Sequence, residues 1–181
     1  HRQFQAFVDA GGYEQDKWWA GLAQGPEPTS ARWSEPNAPR ETVSWYEATA
    51  FCRWLDVQLR AAGALPEGWQ VSLPTEEQWE RAARGTDGRP FPWEGDDYRS
   101  GFANIDETWK EEGVFNLGRT SPVGIYPAGE APSGALDMAG NVWEWCRNEH
   151  EKPERIADEG DSPRVVRGGS WIDGSDGCRA A

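Results

Sequence analysis

The residues Asp137-Met138-Ala139-Gly140-Asn141-Val142-Trp143-Glu144-Trp145, followed by Arg164-Val165-Val166-Arg167-Gly168-Gly169-Ser170-Trp171, constrain this chain more than any other stretch. The first segment sets two carboxylates on either side of a glycine bend and spaces two tryptophans as a strand spaces side chains on one face. The second is a β-branched strand that runs into a Gly-Gly break, where no Cβ limits how closely another segment approaches. The 12 Trp of the chain add a second constraint. Trp buries a large area but needs a partner for its N–H, so the core must be threaded with polar groups or open into aromatic-lined pockets.

A length of 181 residues suits one domain with a core of its own. The formal net charge of -13 argues against nucleic acid, whose phosphates it would repel, and against an anionic membrane surface. It leaves a protein or small-molecule ligand, or a cation, as the expected partner. No apolar run is long enough to span a membrane. Cys52, Cys146 and Cys178 form no C-x-x-C, and His1 and His150 are the only histidines, so neither a zinc site nor a disulfide framework is expected. That cysteine usage points towards a reducing, cytoplasmic compartment. The chain begins at His1, without an initiator Met and inside a helical pattern, and stops at Ala181, as a piece of a longer protein would.

Phe4, Phe7 and Val8 sit at helical spacing before Gly11-Gly12. Residues 13 to 42 are predicted to be a long ordered loop held by Trp18, Trp19 and Trp33, because disordered segments are poor in aromatics. Ser44 with Glu47, and Thr75 with Gln78, are capping boxes. The first opens a helix whose apolar face is Ala48, Phe51, Cys52, Leu55 and Leu59, ending at Gly63. The second opens a helix through Trp79, Ala82 and Ala83 that ends near Gly85. Strands are predicted at Trp69–Leu73, Ser121–Tyr126, Val142–Cys146 and Arg164–Arg167, with residues 86 to 118 as loop and the acidic stretch Glu149 to Asp161 exposed. Two helices followed by loop-linked, short antiparallel strands make an α+β domain of high irregular content.

The order of these landmarks resembles the formylglycine-generating-enzyme (sulfatase-modifying factor) family, a branch of the C-type lectin fold. The resemblance runs through Val43-Ser44-Trp45-Tyr46-Glu47-Ala48, Leu73-Pro74-Thr75-Glu76-Glu77-Gln78-Trp79-Glu80-Arg81-Ala82-Ala83-Arg84-Gly85, Phe91-Pro92-Trp93, Ala103-Asn104-Ile105, Ser121-Pro122-Val123-Gly124 and the two stretches above. It implies one lectin-like domain over residues 1–181, lacking the family's first and last strands.

The resemblance also implies calcium at Asp137, Gly140, Val142 and Glu144, the glycine and valine contributing carbonyls. Asn104 and the Ile105 carbonyl would belong to a second calcium site. Hard Ca²⁺ takes such a mixture of carboxylate and carbonyl oxygens. Spacing alone supports a plainer reading, in which Asp137 caps a turn and Glu144 faces solvent from a strand.

Oxidases of the family hold copper(I) with two cysteines placed as Asp173 and Cys178 are here. Copper(I) selects soft thiolates, and Asp173 is a hard ligand, so the resemblance implies calcium but not copper. It also reaches variable proteins of diversity-generating retroelements, in which adenine-targeted mutagenesis rewrites positions in this neighbourhood. Ile172, Asp173, Gly174, Ser175, Asp176, Gly177 and Cys178 are all reachable from an Asn codon by such changes. The resulting expectation is a non-catalytic ligand-binding protein. Its exposed recognition loop would be Ile172–Cys178, with Trp171, Trp93 and Trp109 as candidate pocket walls, though Trp171 suits the core equally well. The alternative is a copper-dependent oxidase acting on a sulfatase cysteine.

Overall fold

The computed structural model describes residues 1–27 and 31–180. It contains three α-helices, α1 (Arg2–Asp9), α2 (Trp45–Ala61) and α3 (Glu76–Arg84), and two antiparallel strands, β1 (Glu144–Glu149) and β2 (Arg164–Arg167). Everything else among the described residues is turn, single-turn 3₁₀ helix, isolated bridge or irregular chain. The α+β class and the high loop content therefore hold, with α1 as a third helix.

Both capping boxes form. Ser44 Oγ accepts from the Glu47 N–H and Thr75 Oγ1 from the Gln78 N–H, while the Glu47 and Gln78 side chains accept from the two cap N–H groups. Each pair satisfies N–H groups that a helix start leaves without intrahelical partners. Helices α1 and α2 close one apolar cluster through Phe4, Phe7, Trp18, Trp19 and Ala50. Helix α3 lays Trp79 and Ala83 against the sheet, where Met138, Cys146 and Val165 complete a second cluster. Phe91, Trp93, Ala103, Ile105, Ala139 and Cys178 form a third.

Trp18 Nε1 finds no acceptor, but the other buried tryptophans meet the need that their number implied. Trp19 donates to the Gly12 carbonyl, Trp45 to Cys146, Trp93 to Asp97, Trp145 to Val43, and Trp79 to the Glu144 carboxylate. Trp18 and Trp19 anchor the loop that follows α1, as expected, and Trp33 packs edge-on against Trp171. Residues 28–30 of that loop lie outside the described residues.

Two predicted strands are absent. Over 69–73, backbone groups that a neighbouring strand would have taken are used by α2 side chains. Asp56 accepts from the Val71 N–H, and Arg60 donates to the Trp69 carbonyl. Over 121–126, Ser121 bonds through both backbone groups to the Asn141 side chain, the Val123 N–H goes to Asn37, and the Gly124 N–H goes to Asp137. A backbone satisfied by side chains has nothing left for a ladder. The strand predicted at Val142–Cys146 starts two residues later and continues to Glu149, with an irregular register between Trp145 and Glu149. The acidic stretch after β1 is exposed as predicted.

A carboxylate turn and a stapled loop as candidate functional site

The chain leading into β1 turns sharply, with Asp137, Gly140 and Asn141 all at positive φ. Gly140 is obligatory for two reasons. Its φ is +75, and a Cβ there would sit 2.4 Å from the Asn104 carbonyl oxygen. This close approach lets the Asn141 N–H bond to that carbonyl at 2.8 Å, while the Gly140 N–H bonds to the Gly168 carbonyl at 2.7 Å. The Gly140 bend thus joins the Asn104 segment on one side and the Gly-Gly break after β2 on the other. Asn141, which the sequence reading passed over, is the knot. Buried, it bonds to both backbone groups of Ser121 and accepts from Asn104 Nδ2.

Asp137 and Glu144 come close enough for their charges to interact. Asp137 accepts from the Gly124 N–H at 2.6 Å, and burial still pushes its carboxyl up. Glu144 accepts from Trp79 Nε1 at 2.6 Å. Burial pushes its carboxyl up to about 7, the Trp79 bond opposes the rise, and the Asp137 charge adds to it. No cation is paired with either carboxylate among the described residues. Nor do the carbonyls of Gly140 and Val142 accept a hydrogen bond there.

At the second predicted calcium position, Asn104 is buried with its Nδ2 bonded to the Arg119 carbonyl and its Oδ1 unanswered. Ile105 is a core residue. Oxygens without partners beside uncompensated carboxylates suit a hard cation. Among the described residues no three His, Cys, Asp or Glu side chains converge on one position. Any ion here would therefore depend on carbonyl and amide oxygens as well.

The segment after the Gly-Gly break is half buried, where an exposed loop of small polar residues was expected. It ends in a 3₁₀ turn, Ser175–Cys178, and Ser175 and Cys178 are buried. Asp173 turns its carboxylate back on Ser170, accepting from the backbone N–H at 2.9 Å and from Oγ at 2.6 Å. The Asp173 carbonyl accepts from the Asp106 N–H, Ser175 bonds to Glu112, and Asp176 pairs with Lys110. Gly174 lies against the Trp109 ring. The loop is thus stapled along residues 106–112, a contact that no spacing in the sequence signalled.

Ile172 and Asp176 face solvent, as do Trp109, Val114, Phe115 and Leu117. Trp171 is half-buried, its ring 5.5 Å from that of Trp33. Trp93 is buried and stacked on Phe91, so it belongs to the core and not to a pocket wall.

The 106–112 segment is itself held by Glu107. This buried carboxylate accepts from Tyr98 at 2.7 Å, Ser100 and the Gly101 N–H at 2.8 Å, and the Phe115 N–H at 3.3 Å. Burial alone would raise its carboxyl, but these bonds outweigh it and hold the carboxyl below the usual range. Nothing in the sequence singled out Glu107.

The three thiols are free, Cys146 and Cys178 buried and Cys52 half-buried. Cys178 is 1% exposed and sits where a Cβ on Gly169 would collide with its Sγ at 2.5 Å. Burial, aided by the Asp173 charge, pushes its thiol up to about 12. Burial does the same at Cys52 and Cys146.

A model of the sulfatase-modifying factor enzyme 1-like domain matches residues 1–181. Hercynine oxygenase of Mycolicibacterium thermoresistibile is 29% identical over 215 residues, covering 96% of this chain and 42% of that protein. Inactive C-alpha-formylglycine-generating enzyme 2 of Bos taurus is 32% identical over 181 residues, covering 88% of this chain and 49% of that protein. The chain thus spans half or less of the length of these relatives. Among solved structures, Treponema denticola variable protein 1 matches with a TM-score of 0.60 and 23% identity, over 92% of this chain and 73% of that one. That likeness establishes the C-type lectin-like fold.

Proposed function

The chain belongs to the family of sulfatase-modifying factor enzyme 1-like domains, and from that premise we propose that it is a non-catalytic, calcium-stabilised ligand-binding domain. Its recognition surface is the Trp171–Cys178 loop together with the 106–117 segment stapled beside it. The observation that carries the non-catalytic reading is the state of that loop. Its one thiol, Cys178, is buried and protonated, and the carboxylate at the place of a second metal-binding cysteine is tied to Ser170. Copper(I) needs accessible thiolates, and this loop has none.

The surface beside it has the makings of a contact site. Trp109 is 72% exposed, and Ile172, Val114, Phe115 and Leu117 are exposed as well. Exposed aromatic and aliphatic groups on a rigidly held frame are what recognition surfaces use. Calcium enters through Asp137, Glu144 and the Gly140 and Val142 carbonyls, with Asn104 Oδ1 and the Ile105 carbonyl as a second set. Bound there, the ion would supply the positive charge that the two carboxylates lack and fix the turn that feeds β1.

The test has two activity arms. The protein is incubated with copper(I) and a cysteine peptide taken from a sulfatase, and separately with hercynine, a thiol, iron(II) and oxygen. Mass spectrometry then looks for the aldehyde or for oxygen incorporation. Neither product is expected. Aldehyde formation that disappears in Cys178→Ser would overturn the non-catalytic reading, and oxygenation of hercynine would replace it with an oxygenase like the relatives of that name.

A further inference from the structure

At the C-terminal end of α3 lies a concavity of about 520 Å³ lined by Gln78, Arg81, Arg84, Thr86, Arg89 and Ser133. None of its lining residues belongs to the carboxylate turn or to the recognition loop. Its shape comes from Gly85, whose φ of +67 and ψ of -133 no side-chain-bearing residue adopts readily, and which packs against Pro132.

Hydrogen-bond accounting makes the site distinctive, because donors outnumber acceptors. The Arg81 carbonyl accepts from the Gly85 N–H, but its guanidinium makes no hydrogen bond or ion pair among the described residues. Arg84 gives Nη1 to Glu80 at 2.8 Å and Nη2 to the Gly88 carbonyl, but its Nε–H meets no acceptor. Gln78 uses its Oε1 on the Thr75 N–H, which leaves its NH₂ free to donate. Ser133 Oγ accepts from the Ala135 N–H, and its O–H remains available. Arg89 is the contrast, with Nε and Nη2 both engaged by Asp87. One carboxylate, Asp87, lines the cavity and is occupied by Arg89, and Glu80 outside the lining is occupied by Arg84.

We propose that this concavity binds the phosphate group of a phosphate monoester, with Arg81 as its ionic anchor. A phosphate monoester carries between one and two negative charges at neutral pH and three strong acceptor oxygens. It can therefore answer a guanidinium and several neutral donors together, where a carboxylate offers two oxygens and one charge. Ala82, Pro132 and Gly85 give the rest of the cavity an apolar lining for the body of the ester. The net charge of -13 opposes any anion at long range. At physiological salt that field is screened beyond about 8 Å, whereas direct pairing inside the cavity survives.

Phenyl phosphate is the probe. It is titrated into ¹⁵N-labelled protein at ionic strength held constant with sodium chloride, with phenyl sulfate in parallel. Saturable binding at millimolar phenyl phosphate is expected, with shifts at Arg81, Thr86 and Ser133 and weaker binding of the singly charged sulfate. Arg81→Gln should weaken binding about tenfold, the loss of one charge-assisted contact, while Arg155→Gln at a distant exposed arginine should leave it unchanged. The Arg81 side chain is exposed and without a partner among the described residues, so its variant keeps the fold, and a melting curve verifies that. Absence of saturable binding, unchanged affinity in Arg81→Gln, or phenyl sulfate binding as tightly as phenyl phosphate would each overturn the assignment.

Discussion

Glu107 is fully buried and accepts from Tyr98, Ser100, Gly101 and Phe115, whereas Glu144, half-buried at the start of β1, accepts from Trp79 alone and faces the charge of Asp137. The one with no surface open to solvent is therefore the better satisfied. Its carboxyl is held down by its donors, while that of Glu144 is pushed up to about 7 by burial. The difference shows that solvent exposure alone does not set the state of a buried acid. The number of donors aimed at the acid weighs against the cost of burying it, and at Glu144 a single donor does not offset that cost.

The largest test removes the satisfied member. Glu107→Ala orphans four donors and frees the loop on which the recognition segment is stapled, so urea denaturation should show a loss of about 4 kcal/mol. A loss near that of an ordinary surface change would mean that water replaces the carboxylate and that the contrast with Glu144 is empty.

Next comes calcium at the unsatisfied member. Saturation at a hundredfold excess over Kd should add about 2.7 kcal/mol, read as a higher melting temperature that chelator reverses. Glu144→Gln should abolish the gain. A gain that persists in that variant would move the ion elsewhere.

The two acids should also titrate in opposite senses. The Glu144 carboxyl is raised in the folded state, so its contribution is fully present below the ordinary value of 4.5 and is lost as pH climbs through about 7. In chelator, stability should fall by about 3 kcal/mol across that window. Calcium should remove the fall, because a bound ion keeps the carboxylate charged. The Glu107 carboxyl is lowered, so its contribution is present above 4.5 and is lost as pH drops further. Denaturation midpoints from about pH 2 to 8 check both, and a flat profile in chelator between about pH 4 and 8 would count against the raised carboxyl.

The smallest effect separates two aspartates of the recognition loop. Asp173→Ala should cost about 1 kcal/mol by freeing the Ser170 N–H and hydroxyl, whereas exposed Asp176→Ala should leave the melting curve unchanged. Equal losses would show that the loop is held as one unit, against the division drawn between its frame and its face.

The helices were legible because their signals are local. Ser44 with Glu47 and Thr75 with Gln78 announce themselves within a single turn. The glycine bend at Gly140 and the pairing of β1 with β2 were legible through the two stretches that bracket them. The segments at 69–73 and 121–126 misled because their alternation was real while their partners were side chains far along the chain, namely Asp56, Arg60, Asn141 and Asp137. Of the candidate site, the turn carboxylates were readable. The staple to residues 106–112 was not, since it depends on Glu107, whose donors are scattered over a loop without periodicity.

The Asp106 N–H holds the recognition loop by the carbonyl of residue 173, a group that every amino acid carries. Beneath it, Gly169 and Cys178 fix depth, and at Gly174 an added Cβ would meet Trp109 at an ordinary 3.5 Å. Positions 172, 174 and 176 can therefore change residue type without moving the backbone that presents them. Heritable variation there would rewrite the chemistry of the surface while the geometry passed on intact. If the loop binds a ligand as proposed, a lineage could explore many ligands at almost no cost in folding.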